Sequence, residues 1–539
     1  MTAQPSSSGP TQATKFLLYG LMAVYLSCCG RQTNDARPPE PLKRGLAGEP
    51  ASLDPADAAD NFSFQVLHDL YEGLTLESTS GDVLPGAASS WTVDQSGTEY
   101  TFHLRANARW SNGKPVRAQE FVSAWKRVLE PRRGSQVSDV LRLISGAPSI
   151  IAGQLPTSAL GAFAADDNTL VLRLERPAPY LPQLLAHSAT FPIYSDESAR
   201  SHEPSKWVSN GPYTLTVWLP GTRVGLQKNP EYWDSENVRI AKVEYQIASD
   251  QNSQLTRYRA GQLDLTDIVP ANAIPWIRAE HPNELVVAPF LATAYFGLNL
   301  SNPTFGSNLG LRKALAMAID RKRIAMAQGF GQPPAYGFVP PGIWNYAPQS
   351  WPWSGLSDSD RIAEAKRLYL EAGYSDAKRL RIRLLFNSNT AIKQTAILVA
   401  AMWRESLGIE TDLTEEEYRV FLQSRQDKTR WDVVRLGWTA DFNDASNFLD
   451  AFRENSSNND SKYSNPTFDF LLNEAARTSD PETRGKLLEA AERVMLNDYP
   501  ILPLYFFVSK RLVKPYVIGV HPNPLDRLTS KMLSISLAP

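Results

Sequence analysis

The stretch LRIRLLFNSNTAIKQTAILVAAMWRESLGIETDLTEE, residues 380–416, predicts a strand, a helix and a second strand in that order. Apolar and polar residues alternate over 380–388, as in a half-buried strand, and 409–416 is predicted to be a strand as well. Residues 396–408, between them, are predicted to be helical. A third strand is predicted over 431–438, and repeated strand–helix–strand units of this kind are typical of an α/β lobe.

The last of these strands, extended to WDVVRLGWTADF over 431–442, carries charged residues among apolar ones. With a period of two, Arg435, Gly437, Thr439 and Asp441 share one face of the strand. Six residues at about 3.3 Å each place Arg435 roughly 20 Å from Asp441, the scale of an extended peptide of about four to six residues with a charge at each end. From these residues alone, the simpler interpretation is a strand whose solvated face carries a salt bridge.

Other local patterns extend the mixture of strands and helices along the chain. Two alternating segments around DQSG, residues 94–97, predict a hairpin, and residues 117–129 predict an amphipathic helix. A helix within 62–75 is expected to end at Gly73. Apolar residues recur at helical spacing in LGLRKALAMAIDRKRIAMAQ, residues 309–328, which predicts a helix there.

The composition is that of a globular protein with more than one lobe. A chain of 539 residues, 42% of them apolar, is too long for one core and predicts two or three lobes. Lysine and arginine (55) almost balance aspartate and glutamate (57), so the net charge is -2. This balance argues against a nucleic-acid footprint and against a polybasic membrane patch.

Both cysteines, Cys28 and Cys29, follow an apolar run of 11 residues, Phe16–Leu26, which suits a secretory signal and is too short to span a bilayer. The sequence LSCC resembles a lipobox and selects Cys29 as the lipid-attachment residue, with Cys28 as the alternative. An ordinary cleaved signal peptide remains the other interpretation. Residues 1–29 are therefore predicted to be a lipoprotein signal peptide with its attachment site. The polar, proline-rich residues 30–45 are predicted to be a tether.

Several longer segments carry a family resemblance. LYEGLT, YTFHLRANARWSNGKPVRAQEFVSAWKRVL, YRAGQLDL, PAYGFVPP and DVVRLGWTADFNDASNFL occur in the order found in the extracytoplasmic solute-binding proteins of peptide ABC importers, family 5. The chain resembles the oligopeptide-binding branch of that family from about Leu46 to Leu533. The run over 100–129 is its most specific part.

The resemblance implies a periplasmic-binding-protein-like α/β fold of the type II, cluster C kind, with two lobes, a crossover hinge and an extra α/β subdomain. Lobe I is expected to comprise residues 46–61, 188–290 and 506–539. The extra subdomain is expected over 62–187, and lobe II over 291–505. Such proteins close their two lobes over a ligand.

The resemblance also implies a function. The protein is expected to bind short peptides between the lobes and to deliver them to the permease subunits of a membrane ABC importer. It is expected to be a monomer without enzymatic activity, cofactor, metal or nucleic-acid partner. Its expected location is the periplasm or cell envelope, with an N-terminal lipid as membrane anchor. A receptor for murein or signalling peptides on the same fold is the alternative.

Ten residues match ligand-contacting positions of the family. Asp441 corresponds to the aspartate that receives the α-ammonium group of the peptide, and a carboxylate desolvated by lobe closure would pair strongly with that cation. The backbones of 437–439 and 49–51 correspond to segments that hydrogen-bond to the extended ligand. Arg435 corresponds to an arginine near the C-terminal side of short ligands, Arg425 to another cationic residue that lines the cleft, and Tyr418 to a residue of a side-chain pocket. The full set is Glu49, Pro50, Ala51, Tyr418, Arg425, Arg435, Gly437, Trp438, Thr439 and Asp441.

This sequence departs from the family where the ligand carboxylate is received. Gln328 and Ile392 occupy the positions of a lysine and a histidine, and Tyr418 stands in place of a pocket tryptophan. Cationic capture of the peptide C-terminus is therefore expected to be weaker or rearranged. Lys393 would compensate if its loop were shifted by one residue.

A secreted hydrolase is the rival from another class. The sequence contains no G-x-S-x-G elbow, no H-E-x-x-H helix and no P-loop. The six histidines do not approach metal-ligand spacing, and each is interpreted as a surface or packed residue. The run Glu415–Glu417 is interpreted as a solvated strand end rather than as a glycosidase site.

Overall fold

The computed structural model describes residues 1–3, 40–195 and 203–536. The predicted signal segment, including Cys28 and Cys29, lies outside the described residues. The chain divides into two units, Met1–Glu40 and Pro41–Pro539, and all described helices and strands belong to the second. Among the described residues, no helix combines the length and apolar character needed to cross a bilayer.

The described strands are numbered in chain order. They are β1 Leu42–Leu46, β2 Thr75–Glu77, β3 Val83–Pro85, β4 Ala88–Val93, β5 Glu99–Leu104, β6 Ala162–Ala164, β7 Thr169–Arg173, β8 Tyr213–Leu219, β9 Arg223–Lys228, β10 Lys242–Ile247, β11 Leu285–Leu298, β12 Arg381–Asn387, β13 Glu410–Glu416, β14 Val433–Thr439, β15 Ile501–Leu512, β16 Val517–Ile518 and β17 Ser534–Ile535.

The described α-helices range from single turns to five turns. They are α1 Asn61–Leu70, α2 Ala118–Val128, α3 Ala147–Ile151, α4 Leu181–Leu184, α5 Gln251–Arg259, α6 Ile274–Glu280, α7 Pro303–Gly306, α8 Leu309–Met317, α9 Arg321–Gln328, α10 Asp358–Glu371, α11 Thr390–Leu407, α12 Tyr418–Ser424, α13 Ser446–Leu449, α14 Pro466–Arg477 and α15 Pro481–Asp498.

Three larger sheets organise these elements. Sheet A has the strand order β1-β10-β9-β8, with β1 parallel to β10 and the rest antiparallel. Sheet B is antiparallel, with the order β4-β5-β7-β6. Sheet C has the order β13-β12-β14-β11-β15 and mixes parallel and antiparallel pairs. The predicted strand–helix–strand order over 380–416 is confirmed, since β12 and β13 make a parallel pair joined by α11. The helix begins at Thr390, six residues before the predicted start, because the Asn389 side chain caps it there.

Sheet C is buried on both faces. Val433, Leu384 and Phe296 belong to one hydrophobic cluster, which also contains the fully buried Trp403. Their neighbours in the same strands, including Val434, point into a second cluster with Trp431. Burial on two sides explains why β14 begins with consecutive apolar residues rather than with strict alternation.

Two long strands lead out of sheet C. β11 and β15 pair antiparallel from Leu285↔Leu512 to Gly297↔Ile501, whereas β14 accompanies β11 only from Ala292 onward. The register shifts between Pro289 and Thr293. Beyond this irregularity, the first residues of β11 pack with α5 and α6 in a separate cluster. A proline and a bulge therefore interrupt the two-stranded connection where it leaves the sheet.

Several predictions need correction. The tether does not extend to residue 45, because β1 begins at Leu42 and pairs with β10. Residues 309–328 form two helices rather than one, because the Asp320 carboxylate caps α9 by accepting the N–H of Arg323. Helix α1 ends at Leu70, before Gly73, with Tyr71 already extended. The hairpin β4–β5 and the helix α2 are confirmed.

The predicted bounds of the lobes and the extra subdomain stay a prediction. Sheet B lies within the residues expected for the subdomain, and sheet C straddles the expected lobe II bounds because β11 and β15 cross them. Sheets A and B share one continuous hydrophobic cluster that contains Leu42, Tyr213, Phe102 and Trp125. The residues of the expected subdomain therefore do not bury a core of their own.

Candidate functional site

Strand β14 and the turn after it carry five of the ten predicted site residues on an alternating pattern of exposure. Gly437, Thr439 and Asp441 are exposed, whereas Leu436 and Ala440 are buried. The strand is shorter than the predicted 431–442, because it ends at Thr439. The N–H of Ala440 donates to the carbonyl of Leu291 at 2.9 Å, which fixes the chain just before Asp441. Asp441 therefore belongs to the turn after the strand.

A cavity of about 1030 Å³ opens beside this turn. Thr439 and Asp441 line it, together with residues of α1, the segment after β7 and the chain near the C-terminus. The other eight predicted site residues do not line this cavity. A space of this size is at the upper end of those that hold small ligands.

The carboxylate of Asp441 forms no ion pair among the described residues. Its side chain touches solvent, but the surrounding walls displace much of the water, and this desolvation raises its pKa. Asn447 and Arg527 lower the pKa and offset part of that effect. The salt bridge to Arg435 that the simpler sequence interpretation required is absent from this part of the chain. Asp441 therefore carries a negative charge without an ion-pair partner among the described residues.

Arg527 holds the main chain at Asp441. Its Nη2 donates to the carbonyl oxygen of Asp441 at 2.7 Å, and its Nη1 donates to Glu77 Oε1 at 2.5 Å. Glu77 is almost fully buried, so the guanidinium is held in place from the other side. Sequence reasoning missed Arg527. It lies 86 residues from Asp441 along the chain, and no local pattern connects the two.

An aromatic stack fixes the next residue of the turn. The rings of Phe442 and Tyr180 lie 4.8 Å apart with an angle of 4° between their planes. Tyr180 immediately precedes α4 and is buried. The guanidinium of Arg484 lies 4.9 Å from the centre of the Tyr180 ring. The turn at 441–442 is therefore supported by Tyr180, which precedes α4, and by Arg527 near the C-terminus.

The segment 49–51 uses its polar groups internally. The carboxylate of Glu49 accepts hydrogen bonds from Trp218 Nε1 at 2.9 Å and from the N–H of Gly221 at 2.7 Å. Pro50 is buried, and the N–H of Ala51 donates to Asp60 at 3.3 Å. The Glu49 carboxylate is thus already engaged, and the main-chain role expected for this segment stays a prediction.

The two predicted cationic cleft residues, Arg425 and Arg435, differ in their surroundings. Arg425 pairs with the buried Asp460 at 3.4 Å, and Lys428 shares that carboxylate at 2.9 Å. Arg435 is half-buried, and its side chain forms no hydrogen bond or ion pair with another described residue. Its Nη1 lies 3.6 Å from the place that a Cβ on Gly437 would occupy. The guanidinium thus lies beside Gly437 on the same face of β14.

Two aromatic residues and one cation complete the predicted set. Tyr418 begins α12 and is 57% exposed. Trp438 donates from Nε1 to Asn447 Oδ1 at 3.0 Å, which ties β14 to α13. Lys393, the suggested compensating cation, donates to Glu415 at 2.8 Å. Its charge is therefore already paired.

Of the three positions that depart from the family, Gln328 and Ile392 are not exposed. Gln328 is buried and donates from Nε2 to Thr395 Oγ1 at 3.0 Å. Ile392 is buried in the cluster on one face of sheet C. Neither side chain supplies a cation or replaces one, so the predicted weakening of carboxylate capture at these positions remains.

Two histidines line the cavity. His68 has both ring nitrogens near carbonyl oxygens, at 2.7 Å from Phe64 and 3.1 Å from Ala186, and burial lowers its pKa to about 4. Burial also lowers the pKa of His187 well below its usual range, with a further contribution from Arg527. Both rings are neutral wall groups at physiological pH. Among the described residues, no cluster of histidine, cysteine or carboxylate side chains has metal-binding geometry.

Residues 82–460 match the family model of the bacterial extracellular solute-binding proteins, family 5 Middle. The chain belongs to this family. The periplasmic oligopeptide-binding protein OppA of Escherichia coli (strain K12) is 35% identical to this family 5 chain over 503 residues, which cover 92% of each protein. Family membership confirms the predicted fold class, a two-lobed periplasmic-binding-protein-like α/β fold with a crossover hinge and an extra subdomain.

Solved structures of the family have the same fold. The periplasmic murein tripeptide binding protein MppA, in its unliganded open form, superposes with a TM-score of 0.82 at 33% identity and covers 92% of this chain and 97% of its own. Haemophilus influenzae OppA in complex with the peptide RPPGFSPFR has a TM-score of 0.76 at 33% identity, with 92% and 99% of the two chains covered. Peptides are thus ligands of at least one of these relatives.

Proposed function

We propose that this family 5 protein binds short peptides in the cavity beside β14 and delivers them to the permease subunits of a membrane ABC importer. The observation that carries this proposal is the carboxylate of Asp441, which faces a cavity of about 1030 Å³ without an ion-pair partner among the described residues. An α-ammonium group is the cation common to all unmodified peptides, and a charge-assisted hydrogen bond to Asp441 would hold it. The names of the relatives support the same ligand class.

The exposed residues Gly437 and Thr439 of β14 are placed to pair with the backbone of a bound peptide. Gly437 has no side chain to obstruct a ligand strand. The edge of β14 away from β11 pairs with β12 only at Val433 and Val434, so beyond them this edge offers main-chain groups on the side of Asp441. Pairing with main chain supplies affinity without selecting side chains. We assign the backbone of 49–51 to the opposite side of the ligand, and Trp438, Arg435, Arg425 and Tyr418 to its flanks. Sheets A and C are then the centres of lobes I and II, with sheet B in the extra subdomain.

Binding rather than catalysis is the proposed activity, and the monomer is the proposed working form. A receptor for murein or signalling peptides would use the same contacts with the ligand N-terminus. The two functions differ in the permease or signalling partner and in the peptide's side chains, because the fold is common to both.

The proposed function predicts that affinity depends more on the ligand's free N-terminus than on its free C-terminus, since Gln328 and Ile392 provide no cation. Calorimetry with alanine tetrapeptides in free, N-acetylated and C-amidated forms measures this. We expect acetylation to cause the larger loss of affinity. No loss on acetylation would contradict the assignment of Asp441, and equal losses from both modifications would contradict the weaker hold on the C-terminus. Absence of binding by every form would contradict peptide binding.

We further propose that Cys29 carries a lipid after removal of residues 1–28, which would keep the protein in the cell envelope. The support is the LSCC sequence after the apolar run Phe16–Leu26. Each buried methylene of the acyl chains contributes about 0.8 kcal/mol to membrane attachment. Intact-mass measurement of membrane-fraction protein should give the acylated chain that begins at Cys29. A soluble, unacylated protein with another N-terminus would contradict the anchor.

A further inference from the structure

Arg176 is a cation in the wall of the cavity whose side chain has no hydrogen-bond or ion-pair partner among the described residues. Three arginines line the cavity: Arg142, Arg176 and Arg527. Arg142 pairs with Asp139 at 2.6 Å, and Arg527 pairs with Glu77 at 2.5 Å. Arg176 forms neither a hydrogen bond nor an ion pair with any other described residue. Its neighbour Glu175 is engaged elsewhere, because Oε1 accepts the N–H of Gly146 at 2.7 Å.

The segment that carries Arg176 is fixed by its own bonds. The N–H of Leu174 donates to Thr98 at 2.8 Å, and the N–H of Glu175 donates to Leu143 at 2.9 Å. On the other side, the carbonyl of Ala178 accepts the hydroxyl of Tyr100 at 3.0 Å. The prolines at 177 and 179 restrict the backbone further. A side chain on such a segment loses little backbone freedom when it binds a ligand.

Arg176 lies near the turn that presents Asp441. It is close enough to Tyr180 to lower the pKa of that hydroxyl against the dominant, raising effect of burial. Tyr180 stacks on Phe442, the residue after Asp441. The cavity therefore has an unpaired anion at Asp441 and an unpaired cation at Arg176 on walls that meet at this aromatic stack.

We propose that Arg176 receives a carboxylate of the bound peptide. This inference rests on the proposed function and names the class of ligand further: peptides with a carboxylate within reach of the wall after β7. The planar guanidinium presents two parallel N–H donors, the geometry that matches a carboxylate. The carboxylate has two sources, an acidic side chain or the C-terminal α-carboxylate, and both have the same chemistry. Arg176 would then supply the cation that Gln328 and Ile392 do not.

The test compares Arg176→Gln with Arg142→Gln. Arg142 lines the same cavity but is already paired, so it is a matched control. One pair of probes is Ala-Ala-Ala-Ala and its C-terminal amide. In each of the other pairs, one alanine of this peptide is replaced by Glu in one member and by Gln in the other. Affinities are measured by calorimetry, and thermal melts check folding. Because the Arg176 side chain forms no hydrogen bond or ion pair with another described residue, its replacement should leave the melting temperature unchanged.

In the native protein, the carboxylate-bearing member of at least one pair should bind more tightly than its neutral counterpart. Arg176→Gln should weaken that member about tenfold to a hundredfold and its neutral counterpart by less than twofold. If only the Glu peptides lose affinity, Arg176 binds an acidic side chain of the peptide. If the loss depends only on the free C-terminus, Arg176 binds the α-carboxylate. Arg142→Gln should change all affinities by less than twofold.

Two results would overturn the inference while peptide binding stands: Arg176→Gln leaves every affinity within twofold, or it weakens charged and neutral peptides equally. If the native protein binds none of the peptides, the proposed function fails and this inference fails with it.

Discussion

Asp441→Asn should weaken binding of a peptide with a free N-terminus by about 2 to 5 kcal/mol, which is roughly a 30-fold to several-thousand-fold rise in Kd. The substitution keeps the shape of the side chain and removes its charge. The α-ammonium group would then be bound in a cavity without its counter-ion. Calorimetry or fluorescence titration with an alanine tetrapeptide measures the change.

The matched ligand for this variant is the N-acetylated tetrapeptide. Acetylation already removes the ammonium group, so Asp441→Asn should cost this ligand little, and the two changes should be non-additive in a double-mutant cycle. The melting temperature of the ligand-free protein should hardly change, because Asp441 has no ion-pair partner in the described structure. Equal losses for both ligands with a lower melting temperature would instead indicate a structural carboxylate.

The same carboxylate predicts the pH dependence of binding. Desolvation raises the pKa of Asp441 in the ligand-free protein, so its carboxyl group is protonated at a higher pH than an ordinary aspartate. Protonation removes the negative charge that attracts the ammonium group. Affinity for the free peptide should therefore be full above this pKa and fall as the pH decreases through it. The Asn variant should lack this decrease.

Local periodicity was sufficient to predict the elements around the site. The alternation in 380–388 and 431–438 predicted β12 and β14, and the same period predicted which residues of 435–441 are exposed. Periodicity does not determine where an element ends. β14 ends at Thr439, before Asp441. α8 ends at Met317, shortly before Asp320 caps the next helix, and such a cap is a local hydrogen bond that competes with continued helix.

The sequence could not predict which residues contact the site residues, for a different reason. Arg527, Tyr180 and Asp441 are far apart in the chain and become neighbours only through the fold. Periodicity gives the face of each element but not the element that it meets. The family resemblance identified Asp441, yet it did not indicate which arginines of the cavity are paired and which is not.

The second large effect concerns the support of the Asp441 turn. Asp444 accepts two hydrogen bonds from Arg484, at 3.0 and 3.1 Å, and the N–H of Ser446 at 2.8 Å. Both charged side chains are only 4% exposed. Arg484→Met should lower the free energy of unfolding by about 3 to 5 kcal/mol, because it leaves a buried carboxylate without a cation. Urea denaturation measures this loss.

An exposed arginine provides the comparison. Arg367 pairs with Glu364 and Glu371 on α10 and is 53% exposed, so Arg367→Met should cost no more than about 1 kcal/mol. The contrast tests burial rather than the number of ion pairs, since Arg367 has more carboxylate partners than Arg484. Similar losses in the two variants would show that Asp444 is better solvated than its surroundings indicate.

A double substitution separates the buried charge from lost packing. Asn at 444 can still accept the N–H of Ser446 through its side-chain oxygen, but it carries no charge that needs Arg484. Asp444→Asn combined with Arg484→Met should therefore be more stable than Arg484→Met alone, although it has lost one more native group. If the double variant is less stable than the single one, the cost of Arg484→Met comes from packing against Tyr180 rather than from the uncompensated carboxylate. In that case the aromatic stack with Phe442, and not the ion pair, is what holds the turn that presents Asp441.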